Sequence, residues 1–291
     1  MRRCLACGHT APAEDIDCAA CGWRPSRAGD FDTYAPHLDG TAEGFRPEYF
    51  DQLAALEATN FWFRVRNDLI ALFVRRYFPG SNNVLEVGCG TGFVLSALAA
   101  ALPQARITGS EIYTRGLAFA AARVPRARLV QMDARDIPYR SEFDLIGAFD
   151  VVEHIEEDEV VLREMTAALR HRGGVLLTVP QHRMLWSQQD VAACHVRRYQ
   201  PGELEAKLSK AGLRVLRSTS FVSLLFPLLL ASRLAKRNAS GQFDQSSEFN
   251  IPPLLNRMLH SILRLEYRLI AGGLSFPFGG TRLVAAVKDA P

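Results

Sequence analysis

Three groups of residues in this sequence have the types and spacing that do chemistry. The first is a pair of CxxCG units, Cys4-Leu5-Ala6-Cys7-Gly8 and Cys18-Ala19-Ala20-Cys21-Gly22, separated by about ten residues. Each is a knuckle that puts two thiolates on a tight turn, and the following glycine lets backbone amides point at sulfur. Four thiolates make a closed tetrahedral zinc site with no open position for catalysis. A segment this short has no core of its own, so the metal supplies most of its folding free energy. A redox-active CxxC would not explain two matched copies.

The second group is Glu86-Val87-Gly88-Cys89-Gly90-Thr91-Gly92, which follows an apolar β-prone run and precedes the helix-prone Phe93 to Leu102. Strand, turn and helix of this kind let a nucleotide-like ligand approach the backbone at the carboxyl end of the strand. A dinucleotide fingerprint would need glycine where Phe93 stands, and a P-loop would need a Lys-Ser/Thr that is missing. The acidic residue before the loop suits a cation and would repel a pyrophosphate. The third group lies in Pro180 to Tyr199, a loop dense in polar and aromatic groups, with Asp190, His195, Arg197 and Arg198. Long loops inside compact folds are usually functional.

Positioning these groups requires alternating strands and helices. Strands are expected at Val84–Val87, Arg106–Ser110, Ala127–Gln131, Leu145–Phe149, Val175–Val179, Leu213–Ser218 and Leu283–Val287. Helices are expected at Phe93–Ala101, Arg115–Arg123, Glu157–His171 and Pro201–Ala211, after a helical lead-in from Pro47 to Phe78. The order predicts an α/β fold, a doubly wound, mostly parallel seven-stranded sheet with ligands beyond the carboxyl ends of its strands. Glu111 ends the second strand about twenty residues after the loop, the spacing of a carboxylate that accepts ribose hydroxyls.

Glu86-x-Gly88-x-Gly90-x-Gly92 resembles the first motif of class I S-adenosylmethionine-dependent methyltransferases. With Phe61-Trp62-Phe63, Glu153-His154-Ile155 and the 180–199 loop, the pattern is similar to a bacterial branch related to the ubiquinone-type O-methyltransferases. The resemblance covers roughly residues 55–288 and does not specify the acceptor. It implies that S-adenosylmethionine is held by Glu86, Gly88, Cys89, Gly90 and Gly92, with Glu86 answering its ammonium, and by Glu111. Ile112 and Met132 would flank the adenine, Asp133 with Ala134 would receive its amino group, and Asp150 would lie near the transferred methyl. Methyl transfer to a hydroxyl needs a proton acceptor. His195 oriented by Asp190 is the first candidate and His154 the second, with Tyr199 beside them. Arg197 and Arg198 could bind an anionic acceptor, and Trp62 and Trp186 could wall its pocket; a packed helix face is the alternative for the aromatic cluster around Trp62.

The chain then divides into a zinc ribbon (1–26), a polar linker (27–46), the cofactor-binding core with its leading helices (47–218), a helical insertion (219–280) and the last strand (281–291). With 291 residues, 48% hydrophobic, 22% charged and a formal net charge of +3, the chain can bury a large core, and it does not suggest a dedicated nucleic-acid binder. Neither a secretory signal nor a bilayer-spanning segment is expected. Thiol pairs suit a reducing cytoplasm. The insertion can cap the pocket, form a dimer face, or touch a membrane through 221–237 at its inner surface; Ser240 to Ser247 reads as a lid. Three functions compete: methylation of a small-molecule, glycan or lipid-linked hydroxyl; RNA or protein methylation docked by the ribbon; and a non-catalytic cofactor-binding scaffold.

Overall fold

The computed structural model describes residues 1–12, 15–40, 49–236 and 251–289. Two short strands, β1 (Arg2–Arg3) and β2 (Thr10–Ala11), hold the first knuckle, and a second hairpin follows from β3 (Ser26–Ala28) and β4 (Phe31–Thr33). Two helices come next, α1 (Tyr49–Leu56) and α2 (Phe61–Tyr77). The alternating core runs β5 (Asn83–Val87), α3 (Phe93–Ala101), β6 (Arg106–Glu111), α4 (Thr114–Arg123), β7 (Arg128–Gln131), β8 (Phe143–Phe149), α5 (Asp158–Ala168), β9 (Leu169–Pro180). It closes with α6 (Gln188–Ala192), α7 (Glu203–Lys210), β10 (Leu213–Phe221), α8 (Phe226–Lys236), α9 (Pro253–Ala271) and β11 (Thr281–Lys288).

The main sheet has the order β10-β11-β9-β8-β5-β6-β7-β4-β3. From β9 to β4 all pairs are parallel, while β11 runs antiparallel between β9 and β10. Both faces are covered, so the central strands read as unbroken apolar runs whose alternate residues feed different cores. Val84, Leu145 and Leu176 face one core with α2, α3 and α4. Leu85, Ile146 and Leu177 face the other with α5 and α7.

Three expectations change. The sheet has nine strands among the described residues, not seven, because the stretch read as a linker supplies β3 and β4. That stretch is anchored by Gln131, which is fully buried: its side chain accepts from Ala35 N at 3.0 Å and donates to Ala35 O at 2.7 Å. The same amide nitrogen also donates to Ile112 O at 3.1 Å; a buried amide needs its partners, and bonding both polar atoms of Ala35 ties the polar segment to β7. The lead-in breaks in two at Asn60, whose carboxamide caps α2 by accepting from Trp62 N at 2.9 Å. The helix expected to reach His171 stops at Ala168, where Leu169 enters β9 opposite Phe143. Among the described residues the stretch read as an insertion holds α8 and α9. Ser240 to Ser247, Arg237 and residues 41–46 of the linker lie outside the described residues. No described helix is long and apolar enough to cross a membrane.

Candidate active site

The glycine turn between β5 and α3 is built by sterics. Gly88, Gly90 and Gly92 all have positive φ, at 69°, 50° and 76°. A Cβ on Gly88 would lie 2.5 Å from Val151 Cγ2, and one on Gly92 would lie 2.8 Å from Ala120 Cα. Neither position admits a side chain. Gly90 differs, since a Cβ there would meet only Phe50 Cε1 at 3.7 Å; its backbone is approachable. Cys89 N donates to Ser110 O at 2.8 Å and its side chain is buried in the core. Thr91 is clamped by Glu57, both of whose oxygens lie 2.7 Å from its hydroxyl, with Arg123 closing the cluster at 2.8 Å from Glu57.

Around this turn stand four carboxylates at strand ends. Glu111 accepts from the backbone N–H of Gly90 (2.9 Å), Ile112 (2.8 Å) and Tyr113 (3.4 Å), which ties β6 to the turn. Burial nevertheless raises its pKa, against the three amides that lower it. Glu86 is buried, and its Oε2 has no hydrogen-bond partner among the described residues. Burial pushes its pKa well above the ordinary carboxylate range, opposed by Arg66 and reinforced by Glu111 and Glu57. A bare, buried carboxylate below an approachable turn suits a cationic ligand group.

Asp133 is already engaged: Arg135 reaches both of its oxygens, through Nε at 3.1 and 3.0 Å and through Nη2 at 2.8 Å. Met132 and Ala134 beside it are buried and Ile112 is half-buried. Asp150 adopts φ 56° at the end of β8 and pairs with Arg66 of α2 at 2.5 Å. Arg66 also approaches Thr178 Oγ1 at 3.4 Å and lies 4.9 Å from the centre of the Trp62 ring. It is a site residue that spacing does not reveal. A buried arginine on the apolar face of a helix was the available signal.

The loop after β9 delivers the histidine. Asp190 is fully buried inside a capping box on α6, with Ser187 N donating to its Oδ2 at 2.9 Å. Its Oδ1 accepts from Arg198 Nε at 2.7 Å and faces His195 Nδ1 at 2.8 Å. Burial alone would raise the Asp190 pKa; the His195 hydrogen bond and Arg198 outweigh it and hold it at about 2. An ionised carboxylate only accepts, so His195 carries its proton on Nδ1 and leaves Nε2 as a base. His195 Nε2 points at Glu153 Oε1, 4.0 Å away, and the His154 ring packs edge-on 4.7 Å from the His195 ring. Burial, then the neighbouring His195, depress the His154 pKa to about 4. Glu153 is fully buried with neither oxygen hydrogen-bonded among the described residues, and burial followed by the Asp150 charge drives its pKa well up. His182 and Cys194 share the positive φ of Asp150, at 64° and 60°; strained backbone gathers at this loop and strand end.

Not every expected residue converges here. Tyr199 is buried and donates to Asp158 Oδ2 at 2.6 Å, and Arg197 pairs with the same carboxylate at 2.8 Å. Both secure the loop to α5, with their polar groups turned from His195. Arg198 holds Asp190 and, through Nη1, Gln181 O at 3.3 Å; it positions rather than presents a free cation. Trp62 lies over Arg66 beside Asp150, while Trp186 is 40% exposed at the loop's edge.

The knuckles face each other. Cys4 Sγ lies 3.7 Å from Cys21 Sγ, and Cys7 Sγ lies 3.6 Å from Cys18 Sγ. Four sulfurs each about 2.3 Å from one tetrahedral ion sit about 3.8 Å apart, so the donor set and spacing fit a four-thiolate metal. Each knuckle repeats the same turn, Gly8 N to Cys4 O at 2.9 Å and Gly22 N to Cys18 O at 2.8 Å. The unit leans on its own chain: Arg3 N donates to Pro138 O at 2.6 Å, and Trp23 packs on Tyr34.

Residues 84–173 match the family described as "Methyltransferase domain". A "Probable S-adenosylmethionine-dependent methyltransferase" of Mycobacterium tuberculosis is 26% identical over 162 residues, 54% of this chain and 57% of the relative. A "Trans-aconitate 2-methyltransferase" of Variovorax paradoxus is 30% identical over 113 residues, 38% of this chain and 44% of the relative. The chain thus spans about half the length of these curated relatives, 57% of one and 44% of the other. Among solved structures, phosphoethanolamine N-methyltransferase 2 of Haemonchus contortus in complex with S-adenosyl-L-methionine superposes with a TM-score of 0.56, at 19% identity, covering 87% of this chain and 59% of that one. The [4+2]-cyclase SpnF gives 0.54 at 21% identity, covering 79% and 83%. A fold shared by a transferase and a cyclase establishes architecture alone.

Proposed function

We propose, for a chain that carries a class I S-adenosylmethionine-dependent methyltransferase domain, an enzyme that methylates a hydroxyl of a small-molecule, glycan or lipid-linked intermediate. The observation that carries this is the His195–Asp190 pair, seated against Glu153 and His154 just beyond Asp150 at the carboxyl end of β8. A carboxylate acceptor has no proton to lose and needs no base, so an oriented imidazole argues for a hydroxyl.

S-adenosylmethionine supplies an activated methyl on a sulfonium whose departure leaves a neutral thioether. The bare carboxylate of Glu86 would meet its ammonium, Gly88 to Gly92 would give it a close backbone surface, and Glu111 would receive the ribose hydroxyls. Ile112 and Met132 would flank the adenine. Asp133 would receive its amino group only by sharing with Arg135. Arg66 holds Asp150 in place near the reacting carbon. His195 Nε2 would take the proton of the acceptor hydroxyl, and Asp190 would stabilise the imidazolium that results. Arg198 keeps Asp190 ionised. In this reading Tyr199 and Arg197 are structural, His154 shapes the pocket, and Trp62 and Trp186 wall the acceptor. Zinc on Cys4, Cys7, Cys18 and Cys21 would stabilise the ribbon. Because that ribbon spends Arg3 and Trp23 on its own domain, an RNA- or protein-docking role is the weaker reading. We place the enzyme in the cytoplasm, where thiols stay reduced.

The test is calorimetric titration with S-adenosylmethionine and with NAD, then methyl transfer to a panel of hydroxylated acceptors. Selective S-adenosylmethionine binding is expected. His195→Ala should leave that affinity within a factor of two and lower kcat by roughly 10²- to 10⁴-fold. Full activity in the variant would remove the base, and absence of cofactor binding would leave the scaffold.

A further inference from the structure

Helix α9 has an apolar face that the core does not use. At 100° per residue, Leu254, Leu255, Met258, Ile262, Leu265 and Leu269 fall within one arc of about 100°. All six are exposed, Leu254 by 71%, Met258 by 58% and Leu265 by 52%. The adjoining arc holds Leu259, Leu263, Glu266 and Ile270, which are buried. On the other side of the exposed arc come Arg257, Arg264 and Arg268. Arg264 pairs with Asp68 at 2.7 Å; among the described residues Arg257 and Arg268 are exposed and make no ion pair. Arg64 and Arg76 of α2 add to this flank, Arg64 lying near His260 and Arg76 donating to Ala271 O at 2.7 Å.

We infer that this face of α9 seats the protein on an anionic lipid surface. An exposed row of large aliphatic side chains bordered by arginines is what an interfacial helix presents: the apolar arc enters the headgroup boundary while the guanidinium groups meet phosphates. Charge decides against a second copy of this chain as the occupant. Pairing two such faces would bring arginine rows together with Asp68 as the one acidic partner they have among the described residues, whereas acidic headgroups complement them throughout. Within 221–233, Phe221, Val222 and Leu225 are buried and Leu224 and Leu228 are the large apolar side chains left exposed, so this segment contributes less than the six-residue face of α9. It links the face to the site instead. Glu266 of α9 accepts from Ser223 N and Leu224 N, both at 2.9 Å, and Phe226 of α8 packs edge-on against His182 at 5.5 Å. Met184 and Trp186, next along that loop, are also exposed. Resting on the methyltransferase reading, this arrangement would bring a lipid-linked acceptor to the mouth of the pocket; the surface itself does not depend on that reading.

Co-sedimentation of the full chain with phosphatidylcholine vesicles, with and without about one-third phosphatidylglycerol, tests the inference at low and high salt. Binding should favour the anionic vesicles at least tenfold and weaken with salt. Met258→Asp with Leu265→Asp should abolish it. Arg257→Gln with Arg268→Gln should weaken it roughly ten- to thirty-fold while leaving the thermal melt unchanged. No anionic-vesicle binding by the wild-type chain overturns the inference. So does a dimer in sedimentation equilibrium that the aspartate pair dissolves, or a fall in melting temperature in the glutamine pair, which would place the face inside the fold. Because the readout is sedimentation, it stands or falls separately from any methylation assay.

Discussion

The two halves of the cleft are built by different means. At the ends of β5, β6 and β7 the cofactor half is made of backbone: three left-handed glycines, an amide-bound Glu111, and a turn locked by steric exclusion around Gly88 and Gly92. At the ends of β8 and β9 the proposed acceptor half is made of side chains from two segments, with Asp190, His195 and Arg198 of one loop meeting Glu153 and His154 about forty residues earlier. Backbone geometry is local and leaves a spacing in the sequence. Side-chain convergence depends on the tertiary fold and leaves almost none. Arg66 joins the halves, since it pairs with Asp150 and its charge acts on Glu86 and Glu153.

That joint is where the contrast breaks most readily. Arg66→Met removes the cation from a nearly buried ion pair and leaves Asp150 and its acidic neighbours unneutralised. A loss of about 3–5 kcal/mol in urea unfolding is expected, with S-adenosylmethionine affinity reduced as well. An unchanged affinity would show that the cofactor half stands alone. Gly92→Ala is the sharper, smaller probe. With φ at 76° and Ala120 Cα at 2.8 Å, the added methyl should cost about 2–3 kcal/mol and weaken cofactor binding. The His195–Asp190 pair should be untouched, as read by the His195 imidazole resonances in NMR; a shift of those resonances would mean that the halves are mechanically coupled.

The same division explains what could be read beforehand. The core strands and helices, the glycine turn and the strand-end acids follow from period and punctuation, and the Asp190–His195 pairing from residues five apart on one loop. Tyr199 and Arg197 misled because adjacency to His195 suggested a shared role. The chain turns after His195, and Gln181 pairs with Tyr199, so their polar ends reach Asp158 instead. The hairpin in the linker was invisible because strands of three residues are too short to show a period, and its anchor, Gln131, lies about a hundred residues away in sequence. The spacing of leucines and arginines along α9 marks it as amphipathic and no more. Which side of it met the core required the fold.

Acid should act on His154 and Glu111 in opposite directions, by the smallest of these effects. His154 titrates near 6.5 when unfolded and at about 4 when folded. Between those values the unfolded chain binds a proton that the folded chain refuses, so stability falls as pH drops from about 6.5 toward 4 and is unaffected above that window. At pH 5 the cost is on the order of 1–2 kcal/mol. Glu111 has the opposite sign: its pKa is raised by burial, so the folded state takes its proton first and gains stability as pH falls through that raised value. Urea unfolding at pH 7 and pH 5 should therefore show a shallower acid loss in His154→Gln than in the wild type, and a steeper one in Glu111→Gln. Parallel slopes in all three proteins would mean that neither group titrates differently in the fold. The contrast between a backbone-held and a side-chain-held half would then lose its electrostatic basis.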